Sequence, residues 1–277
     1  MIVHKFHISG EYPGYPNHPD EDYMADSGNR FAVFDGVTLM HQEPYPDPSP
    51  AAEAARIACE TIIEFNFSGQ SAEQNLRQAA KKANNAIRKL NEANGVAPET
   101  IDYLKLQYAA AVGAFGFIEN SQLYGAQIND SEIAVLDAAG NIKFRLETNI
   151  GPVGLLLQSM RSKKAEEGGF EANSPEEHRF ARREIINNID LKHNGLPIWA
   201  GALTGEKVAL EFVKVDSVEL EPSDTVLFYS DGMIPYVENK DFRNYATGED
   251  LSDFDAKHRT FDDERRERTM IVVKDAA

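Results

Sequence analysis

The sequence has little cysteine, no long apolar run and a deficit of positive charge. Its 277 residues include one cysteine, Cys59, so no intramolecular disulfide can form and a reducing compartment is expected. No apolar stretch approaches the roughly 18 residues that a membrane-spanning helix needs. The N-terminal residues MIVHKFHISG also lack the apolar core of a secretory signal. We therefore expect a cytoplasmic protein with no membrane partner.

The acidic excess narrows the choice of partners further. The chain has 28 Lys and Arg residues against 45 Asp and Glu residues, a formal net charge of −17. A field of that sign repels nucleic acid, so no nucleic-acid partner is expected. The excess has two interpretations, a solvated surface or carboxylates gathered around hard cations such as magnesium or manganese, and both can apply. Hydrophobic residues make up 42% of the chain, which is ordinary for a globular protein.

Capping signals predict two helices in the first third of the chain. The predicted helices run from Ser49-Pro50 to about Phe65 and from Ser71 to about Ala93. Each begins with serine as N-cap, and the first has proline at its first helical position. Asn94-Gly95 ends the second helix. Cys59 falls within the apolar pattern of the first helix and is interpreted as a buried residue, not a nucleophile.

Apolar alternation predicts strands over most of the remaining chain. The predicted strands are Met1–Gly10, Arg30–Phe34, Ala109–Ile118, Gln122–Ile128, Glu132–Asp137, Ile142–Leu146, Val208–Val213, Val218–Leu220, Thr225–Ser230 and Thr269–Val273. The four between residues 109 and 146 are expected to form a hairpin meander. Residues 11–23, rich in proline, are expected to be a loop. Residues 149–201 read as a charged insertion with a helix over Ser174–Asn188. We predict one α+β domain over residues 1–277.

Two Asp-Gly pairs end short apolar strands and are the main chemical signal. Asp35-Gly36 follows FAVF, and Asp231-Gly232 follows TVLFYS. A carboxylate at the end of a buried strand is costly unless it is paired, hydrogen-bonded or bound to a metal. Glycine permits a turn or a close approach of the backbone, and either pair alone is better explained as a turn dipeptide. Together with the acidic pair Glu21-Asp22, the two indicate a shared site.

These motifs resemble those of the metal-dependent type 2C (PPM) serine/threonine protein phosphatases, over essentially the whole chain and in the same order. PDEDYMADSGNRFAVFDGVT resembles the opening acidic motif of that family, and DTVLFYSDGM resembles its later aspartate–glycine motif. QLYGAQINDSEIAVLDAAG is similar to its central strand and hairpin, with Asn129 in place of the usual glycine. TMIVVKD resembles its final strand.

The resemblance implies an αββα sandwich of two antiparallel sheets, with two Mn²⁺ or Mg²⁺ ions between the sheets at one end. It implies that Asp35 bridges the two ions, that the Gly36 carbonyl binds one, and that Asp231 binds the other. Glu21 and Asp22 would act directly or through bound waters. Such oxygen ligands suit magnesium or manganese better than zinc.

The implied activity is hydrolysis of phosphoserine or phosphothreonine in a phosphorylated protein partner, by a water that bridges the two metals. Asp35 and Asp231 would be the catalytic residues. Two alternatives stay open: a catalytically silent relative that binds a phosphorylated partner, and a hydrolase of a small phosphate ester. The sequence does not indicate an oligomeric state.

The sequence departs from the family pattern at the ends of the site. Arg266 stands where the family has an aspartate before its final strand. Glu267 is adjacent, but strand alternation would turn it to the opposite face unless a bulge re-aims it. No arginine precedes the acidic pair, which leaves His18 as the nearby basic candidate for phosphate. Asp130 matches an aspartate that the family links to a third, weaker metal, and a turn residue is an equal alternative.

Overall fold

The computed structural model of the chain describes most of both predicted sheets and the early helices. The described residues are 1–10, 18–37, 47–100, 108–147, 159, 162–163, 166–169, 185–193, 196–197, 200–247 and 267–276. Most of the predicted flap lies outside the described residues, and so does Arg266. Of the helix predicted over Ser174–Asn188, only residues 185–188 are described, and the chain turns directly after Ile185.

Two long helices form where the capping residues predict them. Helix α1 spans Pro50–Glu64, and the Ser49 hydroxyl accepts a hydrogen bond from the first turn. Helix α2 spans Ala72–Ala93 and begins with a capping box between Ser71 and Gln74. Cys59 is fully buried in α1, as predicted. Within the described parts of the chain, no helix has both the length and the apolar character to cross a membrane.

The first sheet lies under these helices. Its strands are β2 (Asp22–Ser27), β3 (Arg30–Gly36), β4 (Ala111–Glu119), β5 (Gln122–Ile128) and β10 (Lys214–Glu219). They are antiparallel in the order β10-β5-β4-β3-β2. Phe34 and Phe115 project from the outer face and pack against the alanine-rich sides of α1 and α2. Alanine on the helices lets them lie close to the sheet, and the buried aromatic rings fill the space between.

The second sheet faces the first. Its strands are β1 (Ile2–Ile8), β6 (Glu132–Leu136), β7 (Ile142–Leu146), β11 (Thr225–Tyr229) and β12 (Arg268–Lys274). They are antiparallel in the order β1-β12-β11-β6-β7. The short helices α3 (Ile234–Glu238) and α4 (Lys240–Thr247) pack on its outer face. A separate pair of two-residue strands, β8 (Lys192–His193) and β9 (Leu196–Pro197), lies outside both sheets.

The inner faces of the two sheets form the central apolar layer. Phe31 of β3 and Phe228 of β11 stack with ring centroids 5.4 Å apart. Val33, Ile271 and Val273 join them in the same buried cluster. Because side chains alternate along each strand, the neighbouring residues face the helices instead. The layers therefore run helix, sheet, sheet, helix, and the predicted αββα sandwich is confirmed.

Three sequence predictions were wrong. Asp22 and Tyr23, predicted to lie in a loop, belong to β2, whose sequence DYMADS has few strand-favouring residues and is extended by pairing with β3. The segment Lys207–Phe212 is a 3₁₀ helix and not a strand, with Ala209 and Phe212 buried at a spacing of three. The strands from 109 to 146 do not form one meander, because the chain passes from the first sheet to the second between β5 and β6.

Candidate metal centre

Asp22 and Asp35 face each other across neighbouring strands at one end of the sandwich. They are partners in the antiparallel register of β2 and β3. Phe31 and Val33 point into the layer between the sheets, so alternation places Asp35 on that same inner face. Both aspartates are half-buried. The acidic motif and the first Asp-Gly pair, separate in sequence, are thus brought together by a single hairpin.

Asp35 lies at the centre of a group of carboxylates. Burial raises the pKa of Asp35 well above its ordinary value. Four neighbouring carboxylates raise that pKa further: Asp22, Asp231, Asp130 and Glu267. Asp231 follows β11 in the second sheet, and Asp130 lies in the turn that joins β5 to β6. The end of the sandwich therefore gathers negative charge from both sheets and from the crossover between them.

Glu267 reaches this group because it lies an even number of residues before Ile271 and Val273, so alternation along β12 turns its side chain to the same inner face. Its Oε2 atom accepts hydrogen bonds from the backbone N–H groups of Glu21 at 2.7 Å and Asp22 at 2.5 Å. The residue is 5% exposed. Burial, followed by the charge of Asp22, raises the pKa of Glu267 to about 8, although the two N–H groups act in the opposite direction. The predicted orientation, away from the site, was wrong.

Both glycines of the Asp-Gly pairs are closely covered. A Cβ atom on Gly36 would lie 2.5 Å from the backbone carbon of Ala51, in the first turn of α1. A Cβ atom on Gly232 would lie 1.9 Å from the carbonyl oxygen of Glu267. Heavy atoms do not approach so closely, so neither position has room for a side chain. Gly232 thus lets the chain that carries Glu267 pass directly over the second Asp-Gly pair.

The Glu21 side chain is hydrogen-bonded at the start of α1. The Ser49 hydroxyl donates to its Oε1 atom at 2.5 Å, while the Ser49 oxygen accepts from the Ala52 N–H. The Glu21 carbonyl also accepts a hydrogen bond from the Gly36 N–H at 3.0 Å. These contacts join the acidic motif, the first Asp-Gly pair and the helix cap. They place Glu21 beside the carboxylate group, with one oxygen already engaged by the protein.

Hydroxyl groups that the sequence prediction missed support Asp22. The Ser230 hydroxyl donates to Asp22 Oδ2 at 2.7 Å. Burial raises the pKa of Asp22 to about 6, and hydrogen bonds from Ser230 and Thr269 hold it below what burial alone would give. Ser230 directly precedes the second Asp-Gly pair, so its position was a usable signal. His18, the basic candidate for phosphate, lies instead with its Nδ1 donating to the Pro19 carbonyl at 2.8 Å.

The chemistry of this group fits divalent cations. The side chains are all carboxylates, which are the ligands that Mg²⁺ and Mn²⁺ prefer. Burial, followed by the charges of the neighbouring carboxylates, raises the pKa of Asp35, as expected where negative charge gathers. Among the residues that the structure describes, no three Asp, Glu, His or Cys side chains are arranged to hold a metal ion as they stand. The donor set therefore matches divalent cations in kind.

Comparison with known proteins identifies the fold through similar structures. No family model and no curated protein matches the sequence. The structure is similar to PstP/Ppp, a serine/threonine phosphatase of Mycobacterium tuberculosis, at 15% identity and a TM-score of 0.61, over 98% of this chain and 97% of that one. The catalytic domain of PstP in complex with two manganese ions matches at 16% identity and 0.61, over 98% and 96%. The PPM phosphatase MsPP of Mycobacterium smegmatis matches at 14% and 0.55, over 99% and 98%.

This chain has the PPM phosphatase fold. The described carboxylates lie between the two sheets at one end, which is where the resemblance to the PPM family predicts the two cations. Asn129, which stands where the resemblance predicts glycine, adopts a positive φ of 65° at the crossover into β6, and asparagine tolerates this left-handed conformation better than most residues.

Proposed function

We propose that the protein is a metal-dependent phosphatase that hydrolyses phosphoserine and phosphothreonine in proteins. The observation that carries the proposal is the gathering of four further carboxylates around Asp35, its register partner Asp22 among them, at the end of a PPM phosphatase fold. A charge group of this kind is costly in isolation and is stabilised by bound cations. The similarity to PstP, whose catalytic domain has been crystallised with two manganese ions, supports the same centre here.

In this proposal Asp35 and Asp231 would hold two Mn²⁺ or Mg²⁺ ions, with the Gly36 carbonyl as a further ligand. When bound, the ions supply a lowered pKa for a coordinated water and screening of the phosphate charge. Asp22 is oriented by the Ser230 hydroxyl, which donates to it at 2.7 Å. Glu267 supplies the carboxylate that is missing at Arg266. Asp130, in the crossover turn, is the candidate for a third, weaker ion.

Glu21 has a different task in the same proposal. With its Oε1 atom accepting from Ser49, it fixes the start of α1 against the end of β3, and it would reach a cation through water. The two N–H groups that hold Glu267 belong to Glu21 and Asp22. The acidic motif thus contributes backbone donors as well as carboxylates.

We also propose that residues 1–277 form one domain with a flap near 149–201, and that the protein acts in the cytoplasm. The PPM phosphatase matches span 98% of the chain or more, which supports a single unit. The buried Cys59 supports a reducing compartment, and the net charge of −17 disfavours nucleic acid and anionic membrane as partners.

Turnover of p-nitrophenyl phosphate and of phosphopeptides, with added manganese, tests the proposal. Asp35→Asn and Asp231→Asn should each reduce turnover by about a hundredfold or more, since even changes around metal ligands cost 10–100-fold. Asp216→Asn, an exposed change on the edge strand β10, should leave turnover unchanged. Manganese-independent turnover, or turnover that survives Asp35→Asn, would contradict the proposal. Hydrolysis of small esters without phosphopeptides would shift the substrate class, and manganese binding without any turnover would favour the silent relative.

A further inference from the structure

Two buried hydroxyl groups lie next to Asp22. Ser230 and Thr269 are both 0% exposed. The Ser230 hydroxyl donates to Asp22 Oδ2 at 2.7 Å, and its oxygen accepts from the Thr269 backbone N–H at 3.1 Å. Further along β12, the residues on the same inner face are Ile271 and Val273, which are apolar. Buried hydroxyls are costly unless they are hydrogen-bonded, so polar residues at the site end of this face require a polar partner.

The pair extends outward to a histidine on the edge strand. His7 and Thr269 are register partners on β1 and β12. The His7 Nδ1 lies 2.8 Å from Thr269 Oγ1, and its Nε2 lies 3.5 Å from Asp20 Oδ2. The Ser9 hydroxyl donates to that same Asp20 oxygen at 2.7 Å. The imidazole is 32% exposed, so the connected groups lead from the protein surface to the metal centre.

The chemistry of these groups determines which atom donates and which accepts in each hydrogen bond. Asp22 accepts as a carboxylate, and the Asp20 carboxylate already accepts from the Ser9 hydroxyl. The Thr269 hydroxyl has one proton, and a hydrogen bond from its side chain lowers the pKa of Asp22. If that proton is given to Asp22, then Thr269 Oγ1 is left to accept, and the His7 Nδ1–H must be the donor. The charge of His7 also lowers the pKa of Asp22.

We propose that His7 is a positioning residue for Asp22, acting through Thr269 and Ser230. The β1–β12 pairing is made by backbone hydrogen bonds and does not need an imidazole. His7 instead fixes the Thr269 hydroxyl, so that the carboxylate of Asp22 is held in the orientation that a cation requires. This inference rests on the proposed metal centre and adds a residue from β1 to it.

Manganese affinity, measured by calorimetry, tests the role of His7. Groups that orient metal ligands typically contribute 10–100-fold to metal affinity. We expect His7→Leu and Thr269→Val each to weaken manganese binding by about tenfold. His7→Asn, which keeps a donor near the Nδ1 position, and Thr269→Ser, which keeps the hydroxyl, should restore most of the affinity. His4→Leu changes another histidine of β1, three residues from His7, and should have no effect.

A second measurement on the metal-free protein tests the hydrogen bond itself. At alkaline pH, ¹⁵N spectra should show His7 protonated at Nδ1 in wild type and Thr269→Ser, and altered in Thr269→Val. A neutral imidazole protonated at Nε2 alone would overturn the inference. Equal manganese affinity of wild type, His7→Leu and His4→Leu would also overturn it and would leave the proposed function standing. Failure of wild type to bind manganese would overturn both.

Discussion

In metal-free protein, the carboxylates of the centre should make stability fall as pH rises. Burial raises the pKa of Glu267 from its ordinary 4.5 to about 8, and that of Asp22 from 3.8 to about 6. Because these pKa values are higher in the folded state, the folded protein binds more protons than the unfolded chain between about pH 4 and pH 8. Below that window, the carboxylates are protonated in both states and do not lower the free energy of unfolding. Towards the upper end of the window, they lower the free energy of unfolding increasingly.

The magnitude follows from the pKa of Glu267. A tenfold change in proton affinity corresponds to about 1.4 kcal/mol, so the cost of ionising Glu267 is about 1 kcal/mol at pH 5 and about 4 kcal/mol at pH 8. Glu267→Gln removes this titration but keeps a side-chain oxygen for the N–H groups of Glu21 and Asp22. Between those two pH values, the variant should gain about 3 kcal/mol of unfolding free energy relative to wild type.

Urea denaturation with a chelator, compared between wild type and Glu267→Gln across this pH range, measures the difference. Glu64→Gln, at the exposed end of α1, serves as the control and should show no pH-dependent gain. Saturating manganese should reverse the order at about pH 8, because the cations stabilise the folded wild type through its carboxylates. If the difference between wild type and Glu267→Gln does not change with pH, then Glu267 ionises freely and the description of the centre is wrong.

Two further changes test how the site is held in place. Gly232→Ala must displace the Glu267 carbonyl, which would lie 1.9 Å from the new methyl group. We expect about 1–3 kcal/mol of destabilisation in urea denaturation and weaker manganese binding by calorimetry. Wild-type values for both measurements would contradict the close packing at Gly232. Asn187→Ala removes the amide that bonds both the N–H and the carbonyl of Ala202, and should cost about 2–3 kcal/mol, whereas the exposed change Asn85→Ala on α2 should be neutral.

Much of the fold could be predicted because its signals are local. Ser49 and Ser71 cap the helices that they were predicted to begin. The apolar runs before Asp35 and Asp231 end strands of opposite sheets, so the sequence pattern alone indicated that two carboxylates lie at strand ends. Asn129 was recognised as standing in a glycine position, and its φ of 65° gives the reason. Each of these features depends on a few neighbouring residues.

The features that failed depend on distant contacts. Strand β2 exists because Asp22 to Ser27 pair with β3, and its own sequence has weak strand propensity. The 3₁₀ helix Lys207–Phe212 is rich in apolar residues, like a short buried strand. Ala209 and Phe212 are buried, and Phe212 packs in the cluster between the first sheet and α1 and α2. The orientation of Glu267 was predicted by counting from Arg266, whereas the inner-facing residues of β12 include Ile271 and Val273, with which Glu267 is in phase. Its orientation is set by the backbone of Glu21 and Asp22, remote in sequence.

The glycines explain why the Asp-Gly pairs are a structural signal of this centre. As turn dipeptides, they would use the freedom of glycine to adopt positive φ, but neither Gly36 nor Gly232 has a positive φ. Each is needed for space: Gly36 admits the backbone of α1 at Ala51, and Gly232 admits the carbonyl of Glu267. The aspartate supplies the charge, and the glycine lets a third segment close over it. The same two-residue motif thus brings the first turn of α1 and the start of β12 against the carboxylates from opposite sheets.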